Sequence, residues 1–128
     1  MAETSETKKI IVPRLLAGVI KELVGKKVVL TGGVFDFLKP YHIDLFEFAK
    51  GRGDILVVAV ESAGKYTPPE ERLEILDAIG NIDFLFEYSD LDDLNLIGGL
   101  VSEVVVNDEF KLSGDKISFS NKVIKFAP

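Results

Sequence analysis

The segment VVLTGGVFDFLKPYH, from Val28 to His42, gathers most of the residues able to do chemistry. An apolar run leads into Gly32 and Gly33. Phe35 and Asp36 follow, and then Lys39, Pro40, Tyr41 and His42, the last being the single histidine of the chain. Glycines after a buried strand let an anion approach backbone N–H groups, and a helix start beyond them adds the positive end of a dipole. A lysine and an imidazole at that helix start suit a phosphate. Each member alone has an ordinary explanation. A glycine pair marks many strand-to-loop turns, Asp36 fits a turn, Lys39 fits a solvated surface, and His42 fits packing. Their order behind one apolar run is what points to phosphate chemistry.

Such residues need a scaffold, and the rest of the chain supplies one. Leu15, Leu16, Val19, Ile20 and Leu23 recur at helical spacing, with Pro13 suited to the first turn and Gly25 to the stop. Lys27 to Thr31 reads as a buried strand. A helix is expected from Tyr41 to Lys50 and a strand over ILVVAV, Ile55 to Val60, apolar on both faces as a central parallel strand would be. Thr67 is the expected cap of a third helix, with Pro68 and Pro69 in its first turn, the stripe Leu73, Leu76 and Ile79, and Gly80 at its end. Further expectations are a strand over Ile82 to Phe86, a helix over Leu91 to Leu100, a strand over Val104 to Val106 and a closing helix over Phe119 to Phe126.

Alternating helices and strands with short links predict an α/β fold: one doubly wound parallel sheet with helices on both faces. Residues 1–9 are expected to be a flexible lead-in and residues 10–128 the domain. In such sheets ligands sit at the carboxyl ends of the strands, where the strand order switches. Thr31-Gly32-Gly33, Val60-Glu61-Ser62 and Val106-Asn107-Asp108 are therefore expected to meet at one crevice.

Composition narrows the chemistry. The 128 residues suit one core, and the net charge of −6 opposes nonspecific binding to nucleic acid or an anionic membrane. No cysteine is present, which removes thiolate metal sites, disulfides and a cysteine nucleophile. With one histidine, a multi-histidine metal site within the chain is excluded. No signal-peptide-like or membrane-spanning run is evident, so a cytoplasmic location is the expectation. The acidic cluster Asp90, Asp92 and Asp93 lacks the glycine and glutamate of a calcium loop and reads as helix capping. Phe35, Phe37, Phe46, Phe48, Phe84 and Phe86 read mostly as core, with Phe37 and Phe48 the two that could face a partner.

At these motifs the chain resembles the nucleotidyltransferase superfamily marked by an H-x-G-H motif, in the branch of heptose-phosphate adenylyltransferases and glycerol-3-phosphate cytidylyltransferases. Thr31, Gly33, Phe35, Asp36, Leu38 and His42 match T-x-G-x-F-D-x-L-H-x-G-H. Gly53, Asp54, Val58, Ala59 and Val60 match the G-D-x-L-x-V-A-V segment, and Pro69, Arg72 and Leu76 fit the helix that follows it in the branch. The segments around IDFLFEYSD and VSEVVVNDEF resemble the next two strands of the branch. ISFSNKVIKF resembles its closing hydroxyl motif.

The resemblance implies transfer of a nucleotidyl group, AMP or CMP, from ATP or CTP to a sugar or polyol phosphate, with pyrophosphate released and Mg2+ assisting. It assigns Lys39, His42 and Lys65 to catalysis. It assigns Thr31, Gly32, Gly33, Phe35, Asp36, Tyr41, Ser118, Ser120 and Lys122 to nucleotide binding. Arg72 either reaches the substrate or forms a surface ion pair. A homodimer is implied as well. Two departures stand out. Lysine replaces the first histidine of the motif, and Tyr41 replaces its glycine, adding a ring where the family keeps space. The loop after Val60 is also short. Two readings follow: a divergent nucleotidyltransferase, or a nucleotide-binding, regulatory or scaffolding protein of the same fold that has lost catalysis.

Overall fold

A computed structural model describes residues 9–64, 66–110 and 122–127. Its elements run α1 (Pro13–Glu22), β1 (Val28–Gly33), α2 (Pro40–Lys50), β2 (Ile55–Glu61), α3 (Pro69–Asp77), β3 (Phe84–Tyr88), α4 (Leu91–Gly98), β4 (Glu103–Val106) and β5 (Lys122–Lys125). The strands form one parallel sheet in the order β3-β2-β1-β4-β5. The order reverses beside β1, between β2 and β4, as a doubly wound sheet requires.

Both faces of the sheet are covered, which explains why β1 is buried throughout. Strand side chains alternate between two cores. Val28, Leu30, Val57, Ala59, Phe86 and Val104 pack against Leu16, Ala17 and Ile20 of α1 and Leu94 and Ile97 of α4. Val29, Leu56, Val58, Val60, Leu85 and Val105 pack against Leu45, Phe46 and Ala49 of α2 and Leu73 and Leu76 of α3.

Three local expectations are corrected. The expected closing helix gives way to a strand over its described part: residues 122–125 form β5, in parallel register with β4, and 119–121 lie outside the described residues. The spacing of Phe119, Val123 and Phe126 mimics a helical stripe, but Lys122, Val123 and Lys125 are exposed, as on an edge strand. The third strand begins later than predicted, at Phe84. Thr67 does not cap α3; Pro68 holds that position, and Thr67 is committed elsewhere. The lead-in lies outside the described residues up to position 8, whereas Lys9 is anchored. Its amide donates to Asp77 Oδ1 at 2.8 Å and its Nζ to the Ile79 carbonyl at 2.7 Å. Residues 9–11 then run parallel to the outer side of β3, exchanging backbone hydrogen bonds with Leu85. Asp90 caps α4 by accepting the Asp93 amide at 3.1 Å, the role expected of that acidic cluster.

Candidate anion site at the mouth of β1

The mouth of β1 is joined to β4 by side chains. Thr31 is fully buried, and its hydroxyl donates to the Val105 carbonyl at 2.8 Å. Asn107, just past β4, donates from Nδ2 to the Gly32 carbonyl at 3.0 Å and to Thr31 Oγ1 at 3.3 Å. Asn107 also closes a tight turn, with reciprocal backbone hydrogen bonds to Phe110 at 3.1 Å. Asp108 and Glu109 form the tip of that turn.

Glu109 points back at the end of β1, where four donors converge on its carboxylate. Oε1 accepts the backbone N–H groups of Val34 at 3.3 Å and Phe35 at 3.2 Å. Oε2 accepts from the Tyr41 hydroxyl at 3.2 Å and lies 2.8 Å from Nε2 of His42. Phe35 has φ of 58°, a left-handed conformation unusual for a residue with a side chain. It lets successive amides face one point, the kind of concavity that holds anions. The strain is retained because the Phe35 ring is buried, edge-on to His42 at 5.2 Å and against Phe46 at 5.6 Å. Gly33 leaves the needed room: a Cβ there would stand 3.0 Å from Glu109 Oε1.

His42 acts here as a fixed donor. Its Nδ1 accepts the Lys39 amide at 2.8 Å, while its own amide donates to the Lys39 carbonyl at 2.9 Å. An amide N–H can only donate, so Nδ1 carries no proton and Nε2–H faces Glu109. The ring is 1% exposed and lies against Tyr41, centroids 4.4 Å apart. Burial raises the Glu109 carboxyl, but hydrogen bonds from His42, the Phe35 amide and Tyr41 outweigh it and bring the carboxyl down to about 2. Burial, together with the Glu109 charge, pushes the Tyr41 phenol up to about 12.

A second knot braces the surrounding loops. Arg72 is 1% exposed and donates to the carbonyls of Val34 at 2.6 Å, Glu61 at 2.7 Å, Ser62 at 3.1 Å and Thr67 at 3.2 Å. Asp36 Oδ1 accepts the Tyr66 amide and the Thr67 amide and hydroxyl, and lies 3.9 Å from Arg72 Nε. Gly64 fits because a Cβ there would run into both Asp36 and Arg72. A hollow of about 360 Å³ opens beside the anion site, lined by Val34, Asp36, Phe37, Lys39, Ala63 and Glu109. A second, of about 320 Å³, lies on the β3–α4 side and includes Glu61, Tyr88, Asp108 and Glu109 in its wall. Both volumes fall at the low end of small-molecule pockets.

The parallel sheet, its switch at β1 and the glycine-to-helix link frame the comparisons with known proteins. No protein-family model matches the chain. It is 32% identical over 120 residues to the bifunctional protein HldE of Haemophilus influenzae strain PittGG, covering 80% of this chain and 25% of that protein. It is 39% identical over 82 residues to the bifunctional protein HldE of Desulfatibacillum aliphaticivorans, covering 55% of this chain and 17% of that one.

This chain is homologous to part of HldE. It spans about a quarter or less of the length of these HldE relatives. The fold agrees with a solved structure, the lipopolysaccharide core biosynthesis protein of Thermoplasma volcanium GSS1. The TM-score is 0.67 at 21% identity, covering 80% of this chain and 98% of that one.

In this HldE homologue, Gly32, Gly33, Phe35, Asp36, Lys39, Tyr41 and His42 surround the mouth of β1. Lys39 is exposed at the cap of α2 and lines the larger hollow. The Thr31 hydroxyl is engaged in the β1–β4 seam. Arg72 is neither at the surface nor in an exposed ion pair; its guanidinium is held by backbone carbonyls beneath the loops. Lys122 is in register with Glu103 at the amino end of β5. It therefore lies about 13 Å below the strand ends that form the site, because each strand residue advances about 3.3 Å. Lys65, Ser118 and Ser120 lie outside the described residues. Glu109 was not singled out from the sequence. Its only signal was an acidic turn after the fourth strand, and that becomes telling once the sheet order sets it opposite Gly33.

Proposed function

We propose that this HldE homologue binds a nucleoside triphosphate at the mouth of β1 and transfers AMP or CMP to a sugar or polyol phosphate, releasing pyrophosphate. The observation that carries the reading is the convergence of the Val34 and Phe35 amides, His42 Nε2–H and the Tyr41 hydroxyl on one point at the strand-order switch. Preorganised donors of this kind stabilise the charge that develops on phosphoryl oxygens. An oxygen of the acceptor phosphate attacks the α-phosphorus in line. The bond to the bridging oxygen breaks, and its electron pair leaves with pyrophosphate. His42 serves as a donor, since a proton on Nδ1 would deprive the Lys39 amide of its acceptor. Lys39 and Lys65 supply positive charge to the polyphosphate.

Magnesium belongs to this reading. Among the described residues there is no group of three or more side chains that could hold a metal by themselves. Asp36, an acid lining the hollow, fits an ion that takes most of its ligands from phosphate and water. Bound there, it would neutralise part of the triphosphate charge. No described helix is long and apolar enough to cross a membrane. We propose a cytoplasmic location and a homodimer, with the exposed rings of Phe37 and Phe48 available to a second copy.

Calorimetry with ATP and CTP in the presence of magnesium, followed by pyrophosphate release with sugar and polyol phosphates, tests the reading. His42→Ala is expected to weaken nucleotide binding more than Lys65→Ala. The same affinity in both variants as in the wild type would remove the assigned pocket. One observation favours a second reading, a nucleotide-binding protein without turnover: the Tyr41 ring turns inward onto His42 and its hydroxyl reaches Glu109. Binding without pyrophosphate release from any acceptor would select it.

A further inference from the structure

We propose that Glu109 is a built-in competitor for the anion cradle, a carboxylate that the phosphate of a ligand must displace in order to bind, so that the 107–110 turn is a latch on the site. The proposal extends the reading above to the control of its site, and rests on it only for the identity of the ligand.

Every donor described in the cradle is spent on Glu109. Both carboxylate oxygens are used, each by two donors, which is how two oxygens of a phosphate would be held. The carboxylate is ionised at neutral pH, so it competes as a full charge. The two sides of the contact differ in freedom. Val34, Phe35 and His42 are fixed by β1, α2 and a buried aromatic cluster. Glu109 sits at the tip of a turn joined to the sheet through Asn107, and its side chain is 30% exposed against 1% for His42. Water, and therefore an incoming anion, reaches the carboxylate without unpacking the core.

Glu109 is also a shared wall. It lines the hollow that contains Lys39 and the one that contains Glu61 and Asp108. Its withdrawal would join the two spaces and empty the cradle in one movement. Orphaned donors are costly, so the turn opens for a group that brings several acceptor oxygens of its own. That selects phosphate and pyrophosphate groups over neutral ligands.

The test uses inorganic pyrophosphate as the probe and the full chain, with calorimetry and amide NMR. Asp108→Asn serves as the control, because it removes the adjacent charge and leaves the cradle plugged. Glu109→Ala is expected to bind pyrophosphate about tenfold or more tightly than wild type, the size of one charge-assisted hydrogen bond freed from competition. The Val34 and Phe35 amides should shift during the titration. Glu109→Gln, nearly the same shape, gives the same direction if the alanine variant does not fold. Asp108→Asn should change affinity by less than about threefold, as a screened surface charge does. The latch is overturned if the Glu109 variants bind no more tightly than wild type, or if Asp108→Asn tightens binding as much as they do. Failure of ATP and CTP to bind any variant, while pyrophosphate still tightens, supports the latch and removes the transfer reading. ATP binding that shifts the Val34 and Phe35 amides of wild type, with the Glu109 variants binding no more tightly, removes the latch and leaves that reading standing.

Discussion

Asn107 Oδ1 accepts the backbone N–H of Glu109 at 2.9 Å while the same side chain donates to the Gly32 carbonyl, so one amide ties the turn to the end of β1. Asn107 is 3% exposed, and water does not replace what it provides. Asn107→Ala is expected to cost about 1–3 kcal/mol, the price of leaving buried partners unsatisfied. Urea unfolding measures it. A variant as stable as wild type would mean that the turn holds itself.

Arg72 is the counterpart beneath the loops. Lysine keeps the charge there but cannot reach four carbonyls spread across Val34, Glu61, Ser62 and Thr67. Arg72→Lys is expected to lose about 2 kcal/mol or more, because carbonyls are orphaned around a buried charge. Faster proteolysis within 62–67 should accompany the loss. Unchanged stability together with unchanged cleavage would argue against a bracing role.

Glu103 supplies a pH dependence. Its carboxyl falls from an ordinary 4.5 to about 2 because Arg52 and Lys27 donate to it, Arg52 foremost, against the opposing effect of burial. The folded value lies below the unfolded one, so its stabilisation is complete above about pH 4.5 and is lost as pH falls toward 2. Glu103→Gln should be less stable at neutral pH and show a shallower fall in stability across that window. Glu109, lowered in the same direction, keeps part of the slope in that variant. Denaturant unfolding at several pH values gives the comparison, and identical profiles would discard the assignment.

Tyr41 reports on the cradle directly. Its phenol and that of Tyr88 are both pushed up to about 12, each chiefly by burial, then by Glu109 and Glu61 respectively. An alkaline ultraviolet titration should show two late phenols in wild type and one in Tyr41→Phe. In Glu109→Gln the Tyr41 phenol should ionise earlier, since the repelling charge and the acceptor for its proton are gone. No change in that variant would place the hydroxyl elsewhere.

The frame of the molecule was legible because its central strands are short apolar runs between glycines. Val28 to Thr31 and Ile55 to Val60 can only be buried, and Pro13, Pro40 and Pro69 mark helix starts by their fixed φ. The edge was harder. KVIK carries little apolar surface, and its pairing with β4 depends on residues distant in sequence, so local spacing favoured the wrong element. The site divided in the same way. The glycine-to-helix link was readable, since its chemistry is local. The partners of Thr31, Arg72 and Glu109 were not, because each is set by a contact across the fold. Arg72 offered two readings, a substrate contact or a surface ion pair, and only the convergence of four carbonyls shows why it is buried.

The run of residues 9–11 along β3 has a consequence for how copies of this chain meet in solution. A bare outer strand is a template on which another molecule can grow its own ribbon. Here the protein lays its own backbone over Leu85 first. That flank is self-sealed, and stripping the segment away should turn a closed border into a sticky one.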